Sequence, residues 1–291
     1  MLSSLYENFG LRGRHQRKRP ILCYLSKGDR LALAEYVREN SWLPYEWWAG
    51  PLECRQDTYA RELNYKSVHW YKIADAGLGP LFLHEYRFCA QCAVDDYDRW
   101  GFSYWRRIHQ FPGVDVCSIH RVGLSVANVD YENPYDNPLA FPHERLRSIT
   151  TVSSVIAARL VDHPIVSLFA VIAEGLLRRH GPMNRHMAEC TLRFRCREIA
   201  FSNGKTPWYL TLRDHILRQL PKQWLKAHFS GDLRTGGRSL RSNFEDARYS
   251  PIGLDSLAEH ALALAVVYDN PQEALSAATR MTYGSSRQSR A

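Results

Sequence analysis

Cys89-Ala90-Gln91-Cys92 is followed, 24 residues later, by Cys117-Ser118-Ile119-His120, and this pattern constrains the chain more than any other. A two-residue gap lets both ligands of a knuckle face one ion, and two such knuckles complete a tetrahedron. Three thiolates and one imidazole are the donors a structural Zn²⁺ prefers, and they leave no position open for a substrate. The thiolates carry −3 against +2 for the ion, so the site is nearly neutral and can be buried. Zinc held this way stabilises a small module by about 10–16 kcal/mol in apparent terms, replacing a core that a short segment cannot build. The plainer alternative is a set of thiols and imidazole unrelated except by packing. The spacing favours the metal, so Cys89, Cys92, Cys117 and His120 are the expected ligands of one structural zinc ion. Cys23, Cys54, Cys190 and Cys196 lack matching partners and are expected to be buried packing residues.

Around this pattern the 291-residue chain is ordinary globular material, 45% hydrophobic and 23% charged, which argues against a disordered or fibrous protein. Its longest apolar stretch, Ile165 to Leu177, holds Ser167 and Glu174 and falls short of the roughly 18 residues a membrane helix needs. The start, Met1 to Asn8, lacks the apolar core of a signal peptide, so a cytoplasmic, nucleoid-associated protein with thiols rather than disulfides is expected.

The net charge of +8 is concentrated. Leu176 to Arg248 holds 15 basic and 6 acidic residues, net +9, leaving −1 for the rest. A localised positive field favours a polyanion, most simply nucleic acid, because each neutralised phosphate releases counterions. A solvated helical surface is the bland reading. The candidate contacts are Arg193, Arg195, Arg197, Arg213 and Arg218, with Arg106 and Arg107 between the knuckles. A further basic spot, Arg12 to Arg19, reads equally well as a solvated arm.

The expected architecture is mainly α with a small zinc-ribbon or zinc-finger β module. Residues 1–80 read as a helical N-terminal region, with a box at Ser26 and Asp29 and an aromatic stretch around Trp42, Trp47 and Trp48. Residues 81–127 form the zinc module, expected as strand-like pieces with a turn at Phe111-Pro112-Gly113. The proline- and asparagine-rich 128–143 is a linker. Residues 144–291 read as a basic, helix-turn-helix-like region. In it Ile165, Leu168, Phe169, Ile172 and Leu176 form a stripe capped by Asp162 and stopped by Gly181-Pro182. A helix over 187–200 comes next, Thr211 and Pro221 open two shorter ones, and Asn270-Pro271-Gln272-Glu273 starts the last. Alternation puts Trp105, Arg107 and His109 on one strand face and Tyr104, Arg106 and Ile108 on the other. The arginines there either grip a nucleic-acid backbone or pair with Asp95, Asp96 or Asp98. His109 has no visible nucleophile to serve as a base and reads as structural.

Arg87-Phe88-Cys89, Cys92, Asp95-Asp96, Gly101, Tyr104-Trp105, Arg107, His109-Gln110, Pro112-Gly113-Val114, Cys117, His120 and Leu124 together resemble the zinc module of the TniQ family, which includes the TnsD target selectors of transposons. The segments from Pro221 to Leu225 and from Pro251 to Leu275 are similar in texture to TnsD-like tails. The resemblance implies a non-enzymatic adaptor that recognises a DNA insertion site, or a complex bound there, and hands it to an AAA+ ATPase and a transposase. The chain departs from the family in a shortened opening helix at Met1 to Phe9 and in Ser118 where proline is common. Two alternatives stand beside this. One is an interaction module that docks on a DNA-bound, possibly RNA-guided, complex without reading DNA. The other is a metal-dependent nuclease, although no phosphate loop, HExxH or GxSxG motif occurs.

Overall fold

A computed structural model describes residues 85–128, 142–146, 160–179, 183–202, 212–229 and 256–280. Residues 1–80, with Cys23 and Cys54, and nearly all of 128–143 lie outside the described residues. The described part is mainly helical with one two-stranded sheet.

Strand β1 (Glu85–Phe88) pairs antiparallel with β2 (Ser125–Asn128), Arg87 opposite Val126 and Phe88 opposite Ser125, which ties the two ends of the cysteine-rich segment together. Between them the chain departs from the strand-like pieces expected. Helix α1 (Ala90–Trp100) begins directly after Cys89 and buries a narrow stripe of Cys92, Ala93 and Asp96. It ends at Gly101, whose φ of 75° lets its N–H reach back to the Tyr97 carbonyl at 2.7 Å. The expected alternation from Tyr104 to Gln110 also fails, because Arg107–Gln110 closes into a 3₁₀ turn. Gln110 then takes a strand's place, accepting from the Arg87 N–H at 3.0 Å and donating to the Arg87 carbonyl. Phe111-Pro112-Gly113 is a turn as expected. Val114 N–H donates to the Phe111 carbonyl at 3.0 Å, and Gly113 takes φ 83°, the type II pattern with proline first and glycine second.

Short α2 (Pro142–Arg145) is held to the module by His143, whose N–H donates to Ser103 Oγ at 2.8 Å and whose ring lies 4.6 Å from Tyr97. Helix α3 (Pro164–Leu177) starts with proline after His163, so the expected cap at Asp162 is not used. Its buried set, Val166, Phe169, Ala170, Ile172, Ala173, Leu176 and Leu177, is wider than the single stripe expected because α3 is covered from two sides. Helix α4 (Arg185–Ser202) follows, then α5 (Leu212–Gln219) and α6 (Lys222–Phe229), joined by Leu220-Pro221. Helix α7 (Leu257–Val267) opens with a capping box between Ser256 and Glu259 and is apolar all round, which suits a helix enclosed by others. It packs on α3, α4, α5 and α8 (Pro271–Arg280). Asn270 caps α8 as expected, its Oδ1 accepting from Gln272 N–H at 2.8 Å. No helix among the described residues is long and apolar enough to cross a membrane.

One continuous core runs from Cys89 to Ala278. Phe111 of the module and Trp224 and Phe229 of α6 meet Phe169 of α3 at centroid distances of 6.0, 5.6 and 6.0 Å. A Cβ on Gly113 would lie 3.0 Å from the Phe229 ring and 3.2 Å from Phe169. Gly113→Ala therefore combines a left-handed backbone with displaced rings and is expected to cost roughly 1–3 kcal/mol, read as a fall in the midpoint of chemical unfolding.

His260 of α7 is fully buried, and burial, helped by Arg179, pushes its pKa down to about 3. The folded state keeps this ring neutral while the unfolded chain protonates it near pH 6.5. Its stabilising effect is thus complete above pH 6.5 and declines as pH falls from there toward 3. His260→Leu is expected to flatten the acid limb of the stability curve by up to about 1.4 kcal/mol per pH unit between about pH 6 and 4, measured by urea unfolding.

Candidate metal centre

The cluster is assembled from two differently built corners. Cys89 is the residue that turns β1 into α1, and Cys92 stands in the first turn of that helix. The second corner is hairpin-like. Cys117 N–H donates to the Val122 carbonyl at 2.8 Å, Arg121 N–H donates back to the Cys117 carbonyl at 2.9 Å, and Val116 bridges Gly123. Arg121 takes a left-handed φ of 54°, which closes the loop and returns His120 toward Cys117.

Three sulfurs and the His120 Nδ1 lie within 4.8 Å of one another, with all three cysteines buried. Nδ1 is 3.5 Å from Cys89 Sγ, 3.3 Å from Cys92 Sγ and 3.8 Å from Cys117 Sγ, and the Cys92 and Cys117 sulfurs are 3.6 Å apart. Metal–sulfur bonds of about 2.3 Å and metal–nitrogen bonds of about 2.0 Å put the donors of a tetrahedron about 3.5–3.8 Å apart. The spacing and the donor chemistry both fit a single tetrahedral ion.

The thiols are polarised in a way that favours a cation. Hydrogen bonds to Cys117 and Cys89, with burial, push the Cys92 thiol far up, and the bond to Cys117 raises Cys89. Hydrogen bonding with Cys89 and Cys92 holds the Cys117 thiol far below an ordinary one. Closely packed thiols of this kind are a site where a divalent ion can take the place of protons. His109, 1% exposed, makes no hydrogen bond of ordinary length among the described residues, yet its ring helps hold Cys117 down. Asp95 adjoins the cluster directly, its Oδ2 3.0 Å from His120 Nε2. Sequence spacing pointed to neither role.

The candidate DNA-contacting arginines are dispersed. Arg106 is taken by Asp96, with Nε–Oδ2 3.2 Å and Nη2–Oδ1 2.8 Å, the ion-pair option of the two raised by sequence. Arg107 donates to the carbonyl of Leu177 at 3.2 Å, where its charge complements the C-terminal end of α3. Arg195 donates to the Val267 carbonyl at 3.2 Å, pairs with Glu198 at 3.1 Å and lies 5.0 Å from the Tyr268 ring centre. Arg193 is half-buried, Arg197 and Arg218 are exposed, and Arg213 stands on α5 with its side chain outside the described residues. Cys190 and Cys196, expected to be buried packing residues, are half-buried. Cys196 packs against the core, and burial raises its thiol to about 11.

The centre is bonded into the helices. Asp115, two residues before Cys117 of the hairpin corner, takes Arg87 Nη1 at 3.1 Å and His228 Nε2 of α6 at 2.8 Å. Burial works against its charge, but the His228 hydrogen bond and Arg87 hold its carboxyl below the usual carboxylate range. Ser118, inside the second corner, donates to Glu174 of α3.

A mainly helical protein organised around a closed Cys₃His centre is the class these features define. Residues 5–124 match the TniQ family model, which assigns this part of the chain to the TniQ family and bears out the resemblance carried by the motifs. A TniQ domain implies an adaptor role associated with transposition. No curated protein and no solved structure matches the chain.

Removing the ion is expected to loosen more than the module. Chelation, or Cys117→Ser, should lower the unfolding midpoint and also raise hydrogen exchange in α3 and α6, which the centre touches through Glu174 and His228. Exchange confined to residues 85–128 would mean that the helices stand without the metal.

Proposed function

We propose that this protein is a non-catalytic targeting adaptor of transposition that brings a DNA site, through its basic helical surface, to an AAA+ ATPase and a transposase. The observation that carries the reading is the TniQ match over residues 5–124, which takes in all four donors of the cluster. The ion is Zn²⁺, held by Cys89, Cys92, Cys117 and His120, and its role is structural. All four donors come from the protein, which leaves no place for a bound water or substrate. What zinc supplies is a rigid joint between β1, α1 and the hairpin corner.

DNA contact falls to cations that the fold leaves to solvent. Arg197 on α4, Arg218 at the end of α5 and Lys222 at the start of α6 are exposed. The last two flank the Leu220-Pro221 turn, an arrangement that suits a helix-turn-helix. Arg106, Arg107 and Arg195 serve mainly as internal struts, and half-buried Arg193 adds its charge to α4.

Binding to a short random-sequence duplex is expected to weaken steeply with salt. Replacing Arg197, Arg218 and Lys222 together by glutamine should reduce the slope of log K against log salt by about one for each phosphate that is no longer neutralised. An unchanged slope would remove this surface from the reading.

One observation favours a second reading, docking on a DNA-bound complex through protein contacts. Val94, Tyr97 and Trp100 on α1, with Tyr104 after it, are exposed among the described residues, and Arg99 lies 4.7 Å from the Trp100 ring centre. Aromatic and arginine side chains of this kind are enriched where proteins meet proteins. A purified chain that shifts no duplex but is retained by the ATPase would decide for it.

A further inference from the structure

We propose that Asp95 is the residue that positions the fourth donor of the metal centre, by fixing the tautomer and tilt of His120. An imidazole has two nitrogens that compete for a metal, and a hydrogen bond to one decides which remains for the ion. In His120 the choice is visible. Nδ1 faces the three sulfurs at 3.3 to 3.8 Å, while Nε2 lies 3.0 Å from Asp95 Oδ2. With its proton on Nε2 donated to the carboxylate, the ring offers the Nδ1 lone pair inward and becomes a more basic ligand.

The helix explains why Asp95 is the orienter. Cys92 and Asp95 are three residues apart on α1 and therefore share a face, so one rigid element carries both a thiolate and the group that aims the imidazole. The next residue, Asp96, points into the module and is occupied by Arg106. Asp98 is exposed and makes no such contact. Because the Asp95 side chain is 62% exposed, removing it opens no cavity, which separates its effect on the ligand from any effect on packing.

The proposal rests on the zinc reading above, and the experiment keeps the two apart. Zinc affinity of the full chain is measured by competition with a chromophoric chelator. The zinc-loaded protein, labelled with ¹⁵N-histidine, is then followed by its imidazole nitrogen signals. Wild type failing to take up one zinc would remove both readings. With wild type loaded, Asp95→Ala is expected to lose affinity by about 10- to 100-fold. The same change should replace the fixed His120 pattern, Nδ1 bound and Nε2 protonated, by averaging between tautomers. Asp95→Asn, whose amide oxygen still accepts from Nε2, should recover part of both. Asp98→Ala, which removes the same charge from the same helix, should behave as wild type. An Asp95→Ala protein with wild-type zinc affinity and an unaltered His120 signal would overturn the proposal while leaving the zinc site intact.

Discussion

Four donor atoms inside 4.8 Å, drawn from two corners that are separated by 24 residues in sequence, are the constraint on which the middle of this protein depends. A four-residue strand, a mostly polar helix and a hairpin closed by a left-handed arginine bury few side chains between them. Bringing three sulfurs together without an ion leaves protons to be shared among them, as the opposed shifts of Cys92 and Cys117 express. A divalent cation bound by the four donors would exchange those shared protons for metal–ligand bonds and couple its binding to the folding of the segment.

The centre would still be an isolated bead if the residues around it did not connect it to the helices. Ser118 lies between two ligands and reaches Glu174, and Asp115 joins Arg87 of β1 to His228 of α6. Phe111 and Gly113 insert next to Phe169 and Phe229. These contacts make the module a wall of the helical core.

Much of this was legible in sequence, and the failures have physical causes. The clustering of the four donors, the turn at Phe111, the stripe of α3 and the cap of α8 at Asn270 each depend on local chemistry with a fixed offset, which one sequence displays. Helix α1 was missed because its buried stripe is only Cys92, Ala93 and Asp96, two of them residues that do not register as an apolar period. Alternation around Trp105 misled because a 3₁₀ turn has no period of two. Asp162 looked like a cap, but proline at the first position of α3 leaves His163 in that place without a side-chain bond. Asp95 was invisible as a neighbour of the centre because its partner His120 stands 25 residues away and only the fold brings them together.

Charge counted along the chain and charge offered to solvent are different quantities here. Arg106, Arg107 and Arg195 contribute to the net positive count, yet each is held by a carboxylate, a helix-end carbonyl or an aromatic face. A guanidinium used as a strut has already exchanged part of its hydration for protein partners. Engaging a phosphate would mean giving up those bonds, which offsets much of the gain from counterion release. Exposed cations such as Arg197, Arg218 and Lys222 carry no such cost. The arginines of this chain are therefore of two kinds: Arg107 braces the module against α3 and Arg195 braces α4 against α7, while Arg197, Arg218 and Lys222 leave their charge at the surface.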